Sequence, residues 1–538
     1  MRRIAGALVL ILSAAAFAET PDLQMQSRIR QEGFRNSKVM EIASELLDEV
    51  GARLTGSPNM KRANEWTRDK LTSFGLSNAR LEGWGPFGRG WSYESVSVRM
   101  LAPEVAQLSA LPKAWAPGTN GPIRGTPFKI KLETKEDLEK AKGKLAGKIV
   151  MTSEPRELRV HDKAALSRYD EAGLASLSRY EVPRSRGTPE EFVRRREFRR
   201  EFAKFLTEEK ALAVMEQGSH DGGLFIVQSA GSQKPEDPTP VPTVTLSAEH
   251  YQRIARLLDR KKDVVIELDV KARFHDEDRM AYNTVAEIPG TDKSGEVVML
   301  GAHLDSWHGG TGATDNGAGV VAAMEAVRIL KAIGVAPRRT IRIALWSGEE
   351  QGLLGSRAYV AQHFGSRPEP TDPKERDLPA SMRREKRPLN LKPDHSRLSA
   401  YFNMDNGTGR IRGIYAQENV AAGKIFESWL DAVRDLGTTN VTMRNTGSTD
   451  HIAFDDVGLP GFQFIQDAVE YDTRTHHTNY DTYERLQRDD LMQAAVVMAT
   501  FVWETANRRE MMPRKALAKE DVAPAPQAAA GRGRRGTR

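Results

Sequence analysis

Val297-Val298-Met299-Leu300-Gly301-Ala302-His303-Leu304-Asp305-Ser306-Trp307 is the stretch on which the fold turns. Its first five residues read as a strand, and a histidine and an aspartate appear where that strand runs out. The same rhythm continues outward. An apolar-periodic helix over 316–330 is followed by a strand over 340–346 and a helix over 352–363. After a polar, Pro-rich insertion at 365–397 come a strand over 398–404, a helix over 422–436, a strand near 460–465 and a last helix over 491–506. Strand, loop and helix in alternation from Asn283 onward predict an α/β domain with a mostly parallel central sheet flanked by helices. In such sheets functional groups collect where strands end.

Towards the N-terminus the texture differs. Arg2 and Arg3 precede an apolar run ending in Ala16-Phe17-Ala18, the pattern of an export signal over 1–18. At roughly 13 residues the run is shorter than the ~20 that a permanent transmembrane helix requires. No later stretch is apolar enough to span a membrane, so an exported protein, periplasmic or secreted, is expected. Residues 19–119 are assigned to an N-terminal, largely helical part, with two helices between Val39 and Phe74 joined at Thr55-Gly56-Ser57-Pro58 and a strand over 94–101. Residues 120–268 are β-rich, with short strands expected at 147–151, 211–215, 223–227 and 241–246. Within them 156–210 is dense in charge of both signs at helical spacing, the mark of a solvated helix rather than a phosphate-binding stripe. The α/β domain is placed at 269–512, and 513–538 reads as a disordered basic tail.

With 538 residues the chain is too long for one compact domain, and with no cysteine it can form neither a disulfide scaffold nor a thiolate metal site. Any metal must be held by His, Asp and Glu. Arg2 and Arg3 with Arg532, Arg534, Arg535 and Arg538 account for all of the +6 charge, leaving residues 19–522 formally neutral. Nucleic acid is therefore not an expected partner.

Four stretches carry chemistry. His303 and Asp305, at i and i+2, can lie on one side, so Asp305 can accept the imidazole's second N–H while the other nitrogen faces a metal. Asp315, in Thr314-Asp315-Asn316-Gly317, opens a helix, where a carboxylate stays ionised and its two oxygens can bridge two cations. Glu349 and Glu350, adjacent after a strand, point differently, so one can ligate while the other handles a proton. Asp405 and the pair His476-His477 add a further carboxylate and imidazole from loops after strands. A mixed N and O donor set with a bridging carboxylate suits two Zn²⁺ ions about 3.5–4 Å apart, an arrangement that runs hydrolytic displacements.

The order of these motifs, Gly-Ala-His303-Leu-Asp305-Ser-Trp, Gly-Ala-Thr-Asp315-Asn-Gly-Ala-Gly, Gly-Glu349-Glu350-x-Gly-Leu-x-Gly-Ser, Asn-Met-Asp405 and His477-Thr-x-x-Asp481-Thr, resembles metallopeptidase family twenty-eight. These are the co-catalytic zinc exopeptidases that include bacterial leucyl aminopeptidase, carboxypeptidase Q and the glutamate carboxypeptidase II group. The resemblance implies that His303 and Asp405 bind one zinc, Glu350 and His477 the other, and that Asp315 bridges them. It makes Glu349 the general base and Asp305 the partner of His303. Residues 120–268 look like the protease-associated domain often inserted before this catalytic domain. Peptide bonds at a chain terminus or in dipeptides would then be cleaved through a metal-bridging hydroxide, Glu349 taking the proton and passing it to the leaving amine.

His476 stands where some relatives carry tyrosine, and a donor there would meet the oxyanion. Gly447-Ser448-Thr449-Asp450-His451 resembles the family's loop along the substrate pocket, making Asp450 and His451 candidate substrate-side groups. Arg444 and Arg474 are candidate anchors for a C-terminal carboxylate. Which terminus is trimmed stays open, as does a homodimer. Two other readings are carried: a non-catalytic binding protein on the same fold, and a glutaminyl-cyclase-type acyl transferase.

Overall fold

The computed structural model describes residues 20–523 apart from 159–160, 183–186, 377, 380–381, 386 and 519–520. The expected leader at 1–18 and the arginine-rich end of the tail lie outside the described residues.

An eight-stranded sheet forms the larger unit. Its spatial order is Ser77–Trp84, Ala281–Ile288, Arg339–Trp346, Lys293–His303, Leu398–Asn403, Gly461–Gln466, Ile411–Tyr415 and Asn440–Thr442. The four middle strands run parallel, and antiparallel pairings flank them on both sides. Strands covered on both faces need near-continuous apolar sequence, as Val297–Leu300 and Ile341–Trp346 supply. One face packs on helices Ala318–Ala332 and Arg488–Asn507, with the N-terminal helix Leu23–Arg35 outside them. The other face places Met299, Trp346 and Tyr401 against Tyr359 and Phe454 of helices Leu354–His363 and His451–Asp455. This is the predicted α/β layering, with element ends displaced by a few residues. Helix Leu23–Arg35, which sequence reading did not mark, opens with the Asp22 carboxylate accepting the Met25 amide.

A second eight-stranded sheet is ordered Ala106–Gln107, Gly90–Ala102, Val265–His275, Ile123–Lys129, Lys148–Met151, Ala213–Gln217, Thr243–Leu246 and Ala110–Pro112. It therefore starts near Gly90, not at residue 120: the strand expected at 94–101 pairs with Val265–His275 along most of its length. Within the part expected at 19–119, the stretch that joins the first unit is 20–84, whose last residues, Ser77–Trp84, form the edge strand of the first sheet. The strand expected at 223–227 is not part of the ladder either. That segment leaves the sheet and makes isolated bridges, Ile226 with Thr478 and Ser229 with Ala114.

Two further expectations are corrected. The charged segment 156–210 does hold a solvated helix, Pro189–Glu208, anchored by Phe205 and Leu206. Residues 165–180 instead form an arm laid on the first unit. Ser167 and Val469 exchange two backbone hydrogen bonds at 2.8 Å, and Arg168 pairs with the buried Asp467 and Asp490 at 3.1 and 2.7 Å. Residues 513–518 and 521–523 are not a loose tail. Arg514 donates to the carbonyls of His395 and Leu398 at 2.8 Å, Lys515 pairs with Asp455 at 2.6 Å, and Val522 bridges Leu389.

Candidate metal centre and active site

The parallel strands finish at one level, with His303 opposite Trp346 and Asn403 opposite both Gly301 and Gln463. Loops leaving these ends bring His303, Asp315, Glu349, Glu350, Asp405 and His477 together. His303 Nε2 lies 3.3 Å from Asp315 Oδ1, 3.3 Å from Asp405 Oδ1 and 3.9 Å from Glu349 Oε2. His477 Nε2 lies 3.1 Å from Asp315 Oδ2 and 3.0 Å from Glu350 Oε2. The two oxygens of Asp315 thus face different histidines. Asp315 Oδ2 and Glu350 Oε1 are buried without a hydrogen-bond partner, as expected of atoms shaped for a cation. Ligand atoms of His303, Asp315 and Asp405 lie within 4.8 Å of one another, as do those of Asp315, His476 and His477.

Each donor is braced. Asp481 accepts from the Thr314 amide and hydroxyl at 2.7 and 2.8 Å and from the Asp315 amide at 3.1 Å, holding the loop that carries Asp315. Asn316 donates to the Met404 carbonyl at 2.9 Å and accepts from the Gly319 amide at 3.0 Å, tying that loop to the one that carries Asp405. Only glycine fits at 319, since a Cβ there would sit 2.3 Å from the Met404 oxygen. His477 itself has φ +62°, a left-handed conformation that its neighbours must maintain.

Asp305 acts differently from expectation. His303 Nδ1 donates to the backbone carbonyl of Asp305 at 3.0 Å, and the nearer carboxylate oxygen stands at 3.6 Å. The carboxylate instead accepts the Glu349 and Glu350 amides at 3.2 and 3.3 Å and the Thr55 hydroxyl at 2.9 Å. Sequence reading treated Thr55 only as part of a turn and passed over Arg53. The Arg53 side chain has no exposed surface and donates to the carbonyls of Gly51, Leu304, Thr311 and Gly312 at 2.6–3.1 Å. It is a fixed cation beneath the carboxylates, and the signal for it was an arginine set in an otherwise apolar helix-to-turn passage.

Burial and crowding set the charges. Burial lowers the affinity of His303 for a proton, but the Asp405 and Glu349 carboxylates outweigh it and hold the imidazolium well above its usual range. His477, partly buried and facing Glu350 and Asp315, is raised to about 10. Burial and the Asp315 charge push Glu350 up to about 7, while burial, Asp405 and Asp450 push Glu349 well above the carboxylate range. Asp315, despite its burial, is held well below that range by the His303 and His477 rings that face it. Protons here occupy positions that a pair of dications would compete for.

His476 is about half exposed, with Nε2 3.8 Å from Asp315 Oδ2 and its ring 3.7 Å from that of His477. Burial lowers its pKa, so it is a neutral N–H donor at neutral pH. Asp450 and His451 have no exposed surface, which conflicts with the expectation of a substrate-side pair. Burial raises the Asp450 carboxyl to about 7 and lowers His451 to about 4, and His451 Nε2 donates to the Thr446 carbonyl at 3.1 Å. Arg444 is held by the arm, donating to the carbonyls of Arg179 and Ser176, and Arg474 pairs with Glu470. Neither arginine is presented as a free anchor. The cleft over the donors is lined by Trp307, Gly310, Gly312, Thr478 and Asp481 together with Asp315, Glu350 and His477.

Residues 283–502 match the family model described as Peptidase family M28. Carboxypeptidase Q of Bos taurus is 26% identical over 471 residues, 87% of this chain and 85% of that protein. Among solved structures, a peptidase M28 precursor from Shewanella amazonensis SB2B aligns at TM-score 0.62 and 25% identity, covering 92% of this chain and 99% of that one. BSAP, a zinc aminopeptidase from Bacillus subtilis, shares the fold at TM-score 0.53 and 18% identity, over 88% and 95% of the two chains. The family match spans the strands and loops that assemble His303, Asp315, Glu349, Glu350, Asp405 and His477, so it is this segment of the chain that is similar to peptidase family M28.

Proposed function

We propose that the protein is an exported exopeptidase that works with two zinc ions, His303 and Asp405 holding one, Glu350 and His477 the other, and Asp315 both. The observation that carries this reading is the division of Asp315, with one oxygen 3.3 Å from His303 Nε2 and the other 3.1 Å from His477 Nε2. Further support comes from the partnerless oxygens of Asp315 and Glu350 and from the zinc aminopeptidase that shares the fold. The chemistry zinc supplies when bound is Lewis acidity towards a carbonyl oxygen and a lowered pKa for water.

The chain's own groups do the rest. Glu349, held at its amide by Asp305 and kept basic by its crowded, buried setting, takes the proton of the attacking water and returns it to the leaving amine. Neutral His476 offers an N–H to the oxygen on which charge develops. Thr55, Asp305 and Asp481 keep the loops in register, so little reorganisation accompanies the reaction. The second sheet, begun at Gly90, is read as a protease-associated domain on its position before the matched segment. Arg2, Arg3 and the following apolar run support export, and no described helix is long and apolar enough to cross a membrane.

Two measurements test the reading. Metal analysis of protein purified without chelator should give two zinc ions per chain, and less than one would overturn it. Digestion of a peptide library followed by mass spectrometry should show residues removed from one terminus only; internal cleavage would contradict an exopeptidase.

A further inference from the structure

The loop that carries His477 is not held by the first unit alone. Phe225 and Asn479 are paired, the Phe225 amide donating to Asn479 Oδ1 at 2.9 Å and the Asn479 amide to the Phe225 carbonyl at 3.2 Å. The Val227 amide donates to the His477 carbonyl at 3.2 Å, and Ile226 bridges Thr478. The Trp307 ring lies 6.2 Å from both His477 and Trp115, the latter from the second unit. At the end of this ladder the side-chain amide nitrogen of Gln228, Nε2, lies 3.0 Å from His477 Nδ1.

We propose that Gln228 of the second unit is a positioning residue for the metal centre, fixing the tautomer and the ring plane of His477. The inference rests on the zinc reading above. His477 Nε2 is the atom that faces Asp315 and Glu350, so a ligating ring has its lone pair at Nε2 and its one N–H at Nδ1. That N–H needs an acceptor; the Gln228 amide stands with its nitrogen towards Nδ1, and a half-turn of the amide of this half-buried residue brings Oε1 to the same place. His303 meets the same need differently, donating from Nδ1 to the backbone carbonyl of Asp305. A backbone acceptor cannot be removed by a side-chain change, whereas Gln228 can. The two histidines should therefore respond differently to the loss of this one residue.

The test uses the full mature chain with zinc, titrated against a chromophoric chelator so that each ion's affinity is read separately. Gln228→Leu, which keeps the bulk and loses the acceptor, should weaken one zinc by about 10–100-fold and leave the other unchanged. Gln228→Glu, which restores an acceptor, should recover most of the loss. With ¹⁵N-labelled histidine, the zinc-loaded wild type should show a protected Nδ1–H on the His477 ring that exchanges rapidly in Gln228→Leu. If the wild type binds two zincs and Gln228→Leu keeps both affinities and the protected proton, the inference is overturned while the zinc reading stands. If Gln228→Leu does not fold, equal weakening of one zinc in Gln228→Glu and Gln228→Ala overturns it instead. A wild type that binds no zinc overturns both.

Discussion

The carboxylate of Asp305 accepts the backbone N–H of Glu349 at 3.2 Å, so the residue that follows one strand sets the direction of the glutamate, the proposed base, that follows the next. The same carboxylate takes the Glu350 amide and the Thr55 hydroxyl. Asp305→Ala removes all three contacts, while the Nδ1 bond of His303 to the residue 305 carbonyl survives. The expected outcome is a fall of about 10–100-fold in kcat/KM, with zinc bound through His303 and Asp405 retained. Metal analysis and steady-state kinetics on one preparation check this.

Glu349→Ala separates binding from chemistry. No zinc is assigned to Glu349, so the variant should keep two ions per chain and lose roughly two to four orders of magnitude in kcat, the range of general acid–base catalysis. Unchanged turnover of a dipeptide substrate would remove Glu349 from the proton path.

Without metal, stability should fall as pH rises. Glu350 in the folded chain titrates at about 7 against an ordinary 4.5, and His477 at about 10 against 6.5. In both windows the folded state holds more protons than the unfolded state, so ∂ΔG/∂pH is negative. The imidazolium contribution is complete below pH 6.5 and lost towards 10, and the penalty at Glu350 grows from pH 4.5 to about 7. Thermal unfolding in chelator should show Tm dropping across pH 5 to 10, and saturating zinc should flatten that slope.

The arm offers a stability test away from the chemistry. Arg168→Ala withdraws a guanidinium from the buried Asp467 and Asp490, although Arg412 still reaches Asp467 at 3.2 Å and Arg410 still reaches Asp490 at 3.5 Å. With those partners remaining, the cost should be about 1–3 kcal/mol, measured by urea unfolding. Faster proteolytic cutting near 165–180 should accompany it.

The alternation of apolar strands with periodic helices after Asn283 made the larger sheet legible, and the acids and histidines placed after strand ends marked the centre. Charge pattern was a weaker guide. Residues 165–180 look solvated in sequence because Arg168 gives no hint that its carboxylate partners lie some 300 and 320 residues away. The same distance hid Arg53, whose acceptors are backbone carbonyls and leave no trace in composition. Asp450 and His451 were misplaced because a motif beside a pocket does not tell which side chains face it. Here the short helix His451–Asp455 turns both inward. Residues 90–119 were separated from the second sheet because the strand Val265–His275, which completes their pairing, returns only after some 170 residues.

The pairing of Phe225 with Asn479 has a meaning for how such a chain can change. An inserted unit joined only through its two ends could be exchanged between relatives as a cassette. This one also grips the His477 loop at mid-length, so a graft that replaces 90–275 without 477–481 would present a foreign edge to that loop. The two segments are physically matched to each other, so chimaeras should retain activity only when both come from the same parent.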